Sequence, residues 1–262
     1  MAAPRFGGGQ PPGSGNGAVI DIHASQRAAS PAADQAMLRR RLDQGLAEMN
    51  PLIDQALDDH ARDRLIGFLA LLGRWNRAYN LTAVRDPVEM LSRHLLDSLA
   101  VLPWVTDGPV LDAGTGAGLP GLPLAVARPD LSFTLVDGNG KKTRFVRQAV
   151  LELGLANVEV VHSRLQAYRP GPKFVTMTAR ALASLSDLID NCQHLAAARS
   201  RLLAMKGRLP EQELAMLANP ASAVLAACTP IAASVAVHAL HVPLLNGERN
   251  LIEISFHAHT HG

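Results

Sequence analysis

The chain has 262 residues, 48% of them apolar, and its 25 Lys and Arg against 23 Asp and Glu leave a formal net charge of +2. That length and apolar content suit one large α/β domain with an appendage, and the mild charge is no signature of nucleic-acid binding by itself, although local basic clusters can supply it. With 4% aromatics, no run of 18 apolar residues and no basic leader before an apolar stretch, neither a base-stacking aromatic sheet, a membrane span nor a secretory signal is expected, and a cytoplasmic protein is. Cys192 and Cys228 are too few for a disulfide framework and read as reduced thiols.

Taken in chain order, residues 1–34 are a Gly- and Pro-rich tail that cannot bury enough apolar area to offset its ordering entropy. Residues 35–106 read as a helical extension. Met37, Leu38, Leu42 and Leu46 have helical spacing within 35–49, and Leu65, Phe68, Leu69 and Leu72 have it within 58–80. Pro87 opens a third helix with a stripe of Val88, Leu91, Leu95, Leu99 and Leu102. From 107 to 257 the pattern alternates. Strands are predicted at 109–113, 132–136, 157–161, 173–178, 200–205, 231–239 and 249–256, and helices at 119–128, 140–154, 184–197 and 210–219. Strands separated by helices predict a parallel sheet covered on both faces. The last two strands lack an intervening helix and predict an antiparallel hairpin at the edge. Residues 258–262 read as a frayed tail.

The segment 110–121 reads Val-Leu-Asp-Ala-Gly-Thr-Gly-Ala-Gly-Leu-Pro-Gly, and Asp137 closes the next apolar run. Glycines after a strand let backbone approach a ligand, and an acid ending the second strand can accept from ribose hydroxyls. Gly116, Gly118 and Gly121 formally match a dinucleotide fingerprint. However, Asp112, Gly114 and Thr115 precede it, and a carboxylate there favours a cationic ligand over a pyrophosphate. The order therefore suits S-adenosylmethionine better than NAD.

Further segments then carry a resemblance. They are Asn-Leu-Thr-Ala-Val-Arg at 80–85, Arg-His-Leu-Leu-Asp-Ser at 93–98, the glycine loop at 112–121, Arg-Ala-Leu-Ala-Ser-Leu at 180–185, Lys206-Gly207 and Gly247-Glu-Arg249. In this order and spacing the chain resembles, over about residues 35–256, the bacterial glucose-inhibited division protein B family. The resemblance implies a seven-stranded Rossmann-like class I S-adenosylmethionine-dependent methyltransferase fold with an N-terminal helical extension. It implies methylation of guanine N7 in 16S ribosomal RNA, at the guanosine conventionally numbered 527 in the 530 loop. Either the RNA or the small ribosomal subunit would be the partner. Cofactor contacts carry over onto Gly114, Leu119, Leu165, Gln166 and Arg180. Asp112, Gly116 and Gly118 of the loop and Asp137 complete the expected cofactor set. The chain departs from the family pattern at Gly138-Asn139-Gly140, at Thr178 before Ala179-Arg180, and at Gln166, where an acid is common.

Guanine N7 carries a lone pair and no proton, so positioning without an obligate proton-transfer residue is expected. RNA contacts are expected from Lys141, Arg144, Arg180, Lys206 and Arg249, with Lys142, Arg147, Arg85 and Arg93 as further candidates. The competing reading of such charges is a solvated helix face. His94 and Asp97, three apart, are expected to meet in a structural hydrogen bond. Trp75 and Tyr79 read as packing residues. His257, His259 and His261 read as a polar tail, so no metal is expected. Three readings stay open at this point: a methyltransferase for another RNA, a small molecule or a protein; an NAD-dependent oxidoreductase; and a nucleotide-binding regulator without turnover.

Overall fold

The computed structural model of the chain describes Met1 and residues 31–180, 183–218 and 231–258. Most of the expected tail, Cys228, His259 and His261 lie outside the described residues.

The helical extension starts with α1 (Pro31–Glu48), which opens four residues earlier than its apolar spacing predicts and buries Leu42 and Leu46 completely. A short α2 (Pro51–Gln55) follows, which periodicity does not reveal. Asn50 caps it by accepting the Leu52 N–H, and Pro51 presets its first turn. Asp58 caps α3 (Asp59–Tyr79) by accepting the Ala61 N–H at 2.7 Å, and α3 ends at Asn80 in the left-handed region, φ 50°. Next, α4 (Pro87–Met90), a π-helical turn (Leu91–Leu96) and α5 (Asp97–Leu99) run on as one rod.

The sheet comprises β1 (Val110–Ala113), β2 (Phe133–Asp137), β3 (Val158–His162), β4 (Phe174–Arg180), β5 (Ala196–Lys206), β6 (Ile231–Ala239) and β7 (Asn250–Ala258). Their order is β3-β2-β1-β4-β5-β7-β6. β1 to β5 are parallel, and β7 runs antiparallel to both β5 and β6, so the edge hairpin is as the sequence predicts. Every residue of central β1 is buried, as a parallel strand covered on both faces requires. Four helices fill the crossovers: α6 (Gly121–Ala127), α7 (Gly140–Leu153), α8 (Leu185–Cys192) and α9 (Glu211–Ala218).

Two cores hold these layers. On one face, Val110, Phe133, Leu135 and Leu203 pack under α6 and α7, and α3 lies across both helices. Phe145 of α7 meets Phe68 and Trp75 of α3, with ring centroids 6.3 and 5.6 Å apart; Trp75 also stacks on Tyr79. Burying Phe68 and Phe145 contributes about 1.5–3 kcal/mol each, which helps fix the extension to the sheet domain. On the other face, Leu111, Met177, Leu202 and Ile254 pack against Leu188 and Ile189 of α8. Cys192 belongs to this core, and burial pushes its thiol up to about 12, so it is an inert packing residue. Among the described residues no helix is long and apolar enough to cross a membrane.

Candidate active site

The strand order reverses between β1 and β4, and a cleft of about 490 Å³ opens there at the carboxyl ends of the strands. The glycine loop after β1 forms its floor. Gly114, Gly116 and Gly118 all have positive φ, at 67°, 58° and 83°, where other residues are strained. A Cβ on Gly116 would meet nothing nearer than 3.9 Å, from Gly114 O and Lys142 Nζ, so the missing side chain leaves room in the cleft. A Cβ on Gly118 would lie 2.4 Å from Leu122 Cδ1 instead, so that glycine serves the turn into α6.

Asp112 requires a correction. Its side chain is fully buried beneath the loop and lines neither the cleft nor its neighbouring cavity. Oδ2 accepts from Thr115 Oγ1 at 2.5 Å and from the Gly121 N–H at 2.9 Å, and Oδ1 accepts from Thr178 Oγ1 at 3.0 Å. Burial raises its pKa, and these three hydrogen bonds oppose the rise. The carboxylate is spent on shaping the loop and has no face left for a cationic ligand. Thr178, a departure from the family pattern, is one of its three donors.

Asp137 stands at the end of β2 and lines both the cleft and a second cavity of about 280 Å³. Its Oδ2 accepts the Gly116 N–H at 2.8 Å and its Oδ1 the Asn139 N–H at 2.7 Å. Those bonds orient the carboxylate while each oxygen keeps a lone pair for a ligand hydroxyl. Asn139 in turn caps α7 by accepting the Lys141 N–H at 3.0 Å, which gives the middle residue of the Gly-Asn-Gly departure a role. Leu165 and Gln166 line the second cavity with Gly114 and Asp137. The two spaces share Gly114 and Asp137 in their walls, with a carboxylate between them, an arrangement that suits a nucleoside lying along both.

The cleft walls carry Arg93, Lys142, Arg180, Lys206 and Arg249 against Asp97 and Asp137, a positive surplus that suits an anionic chain. Asp97 is buried and holds two arginines distant in sequence, Arg180 at the end of β4 and Arg249 just before β7. Its Oδ1 accepts from Arg249 Nε at 2.8 Å and its Oδ2 from Arg180 Nη1 at 3.2 Å. Arg180 also donates to the Arg93 carbonyl at 2.9 Å. Lys206 donates to the Ala183 carbonyl at 2.9 Å and pairs with Glu213 at 3.3 Å. The predicted bond between His94 and Asp97 does not form. His94 Nε2 meets Thr82 Oγ1 at 3.0 Å instead. The cause is the π-helical turn, whose wider winding moves residues three apart off one face. Burial, then the Arg180 charge, lowers the His94 pKa to about 4, so the imidazole is neutral at pH 7.

Of the predicted ligand residues, Gly114, Gly116, Leu119, Asp137 and Arg180 line the cleft; Leu165 and Gln166 line the adjoining cavity. Gly118 and Asp112 act from behind the surface. Of the predicted RNA-binding residues, Arg180, Lys206 and Arg249 line the cleft, as do the further candidates Lys142 and Arg93. Lys141 and Arg144 are exposed on α7 outside it; Arg147 donates to the Val160 carbonyl at 3.2 Å, and Arg85 to Asn80 Oδ1 at 2.9 Å. Thr82 and the neutral His94 in the wall were missed as site residues, as was Asp97 as an arginine holder. Their signal was present in the segments 80–85 and 93–98, but nothing in the local sequence joins those segments to the glycine loop. Among the described residues no three His, Cys, Asp or Glu side chains gather as a metal site would require.

Comparison with known proteins identifies the family. Residues 61–234 match the family described as rRNA small subunit methyltransferase G. A Ribosomal RNA small subunit methyltransferase G from Alkalilimnicola ehrlichii is 54% identical over 196 residues, covering 75% of this chain and 84% of its own. The protein of that name from Salmonella arizonae is 45% identical over 212 residues, covering 80% and 97%. Among solved structures, the magnesium protoporphyrin IX methyltransferase of Synechocystis with bound SAM superposes with a TM-score of 0.51 at 18% identity, covering 77% of this chain and 98% of its own, a likeness of fold alone.

Proposed function

The chain belongs to the rRNA small subunit methyltransferase G family, and from that premise we propose that it transfers a methyl group from S-adenosylmethionine to N7 of a guanosine in the 530 loop of 16S ribosomal RNA. The observation that carries the reading is the paired cavity astride Gly114 and Asp137, opening into a cationic cleft. Asp137 would take the ribose hydroxyls, Leu165 and Gln166 the adenine, and the glycine loop with Leu119 the remainder of the donor. When bound there, the donor supplies a methyl group made electrophilic by its sulfonium.

The chain's own residues then act by holding the acceptor. N7 has no proton to lose, so no side chain needs to serve as base. His94, neutral and tied to Thr82, is not asked to be one. Presenting N7 at about 3–3.5 Å in line with the transferred group replaces a bimolecular encounter by a local one. Arg180 and Arg249, fixed on Asp97, and the freer Lys142 and Arg93 hold phosphates of an unpaired loop. The base becomes cationic on methylation, so these charges serve the backbone and not the N7 edge. An RNA substrate of this kind belongs to the cytoplasm.

The test is direct. The protein is incubated with labelled S-adenosylmethionine and small ribosomal subunits lacking the modification, and the rRNA is then cleaved chemically at 7-methylguanosine. A single labelled cut in the 530 loop is expected. Label in protein, in large-subunit RNA or at a base that resists this cleavage would refute the assignment.

A further inference from the structure

The hydrogen bonds around Thr82 leave one proton over. Asn76 is buried, and its Oδ1 accepts the Thr82 N–H at 2.9 Å while its Nδ2 donates to the Val84 carbonyl at 3.0 Å. This clamp fixes the loop that puts Leu81, Thr82 and Val84 into the cleft wall. The Thr82 hydroxyl oxygen accepts the Val84 N–H at 3.2 Å and meets His94 Nε2 at 3.0 Å. His94 Nδ1 is buried without a hydrogen bond; the Arg93 carbonyl lies near the ring but is turned to Arg180, from which it accepts at 2.9 Å. A proton on Nε2 leaves only a lone pair unpaired there, whereas a proton on Nδ1 would leave a buried N–H without an acceptor, the rarer situation in folded proteins. The low pKa of His94 excludes the doubly protonated ring at neutral pH. His94 therefore donates to Thr82. Both lone pairs of the Thr82 hydroxyl are then engaged, and its O–H has no acceptor among the described residues. It is a donor of fixed position in the wall of the cleft.

Resting on the function proposed above, we infer that Thr82 donates to O6 of the target guanine and is a specificity-determining residue, with His94 and Asn76 positioning it. The flanking Leu81 and Val84 suit the flat face of a base better than a phosphate. Guanine presents two acceptors, N7 and O6, on this edge, whereas adenine presents an amino donor in place of O6. A neutral single donor on O6 marks the base and leaves the N7 lone pair free. An arginine fork would occupy both atoms and oppose the positive charge that the base acquires.

The experiment is a coupling cycle. Small subunits are reconstituted with rRNA carrying at the target position either guanosine or 2-aminopurine, which keeps N7 and lacks O6. Initial kcat/KM is measured for the wild type, Thr82→Val and Thr82→Ser. On guanosine, Thr82→Val is expected to lose about tenfold and Thr82→Ser less than about threefold; on 2-aminopurine, Thr82→Val is expected to lose less than about twofold. An equal loss on both bases would reduce Thr82 to a packing residue and overturn the inference, as would no loss on guanosine. Nitrogen NMR of His94 in the wild type tests the same point without a variant: a proton on Nε2 is expected, and one on Nδ1 contradicts it. Wild-type protein that methylates neither substrate would instead bring down the underlying functional reading.

Discussion

Asp97 shows how one carboxylate can prepare a binding surface. It is 5% exposed and neutralises only one of the two guanidinium groups it holds, so the cleft gains charge and rigidity together. Asp97→Asn would leave two arginines poorly partnered, and removing one member of a buried pair typically costs about 3–5 kcal/mol. A loss near the lower end is expected in urea unfolding at pH 7, since both arginines are partly exposed, and should come with weaker binding of small subunits. His94 sets a pH dependence. Its pKa is lowered from 6.5 to about 4 by burial and by Arg180, so the unfolded chain binds the proton more readily than the folded one. Its contribution is complete above pH 6.5 and is lost as pH falls toward 4, by roughly 3 kcal/mol. Urea midpoints measured across that range should flatten in His94→Gln. The sequence revealed the residues whose placement is local: Gly114 and Gly116 follow β1, Asp137 ends β2, and all three line the cleft. Asp112 was legible as an acid near the loop but not as a buried one, because its three donors come from Thr115, Gly121 and the distant Thr178.

The glycine loop joins β1 to α6. Its glycines are not equivalent. Gly116→Ala adds a Cβ with no neighbour nearer than 3.9 Å but keeps φ at 58°, so it should cost about 1–2 kcal/mol in stability and abolish most of the thermal shift given by adenosylhomocysteine. Gly121→Ala would place Cβ 2.6 Å from Asp112 Oδ2 and 2.9 Å from Leu135 Cγ. It should destabilise the protein by about 1–3 kcal/mol even without ligand, through overpacking. Melting curves with and without adenosylhomocysteine separate the two effects. Strands and crossover helices were readable because their apolar periods are strong; β5 nonetheless begins at Ala196, where sequence placed the end of a helix. There α8 ends at Cys192 and one 3-10 turn leads straight into the strand. The π-helical turn was not readable, since Leu91, Leu95 and Leu99 fit an ordinary helix equally well. That turn is what separates His94 from Asp97 and sends one to Thr82 and the other to the arginines.

In the whole molecule, the sheet domain supplies the glycine loop and Asp137, and the helical extension supplies the far wall of the cleft. Leu81, Thr82, Arg93, His94 and Asp97 come from the extension; the glycine loop, Asp137, Lys142, Arg180, Lys206 and Arg249 come from the sheet domain. Such a division was implied by the order of the segments but not by any one of them, because their approach depends on α3 packing on α6 and α7. The cationic surplus makes RNA binding dependent on salt. Arg93→Ala and Lys142→Ala should each lower the slope of log affinity against log salt by about 1, with donor affinity little changed, in filter-binding titrations of small subunits.

The proposed reaction requires a nucleoside held by Asp137 over the glycine loop, and calorimetric titration with adenosylhomocysteine measures that hold. Wild-type protein is expected to bind one equivalent, and Asp137→Ala to bind at least about tenfold more weakly while melting within a few degrees of the wild type, since a hydrogen bond to a charged group contributes about 1.5–3 kcal/mol. Equal binding by the two proteins, or no heat from the wild type, would contradict it.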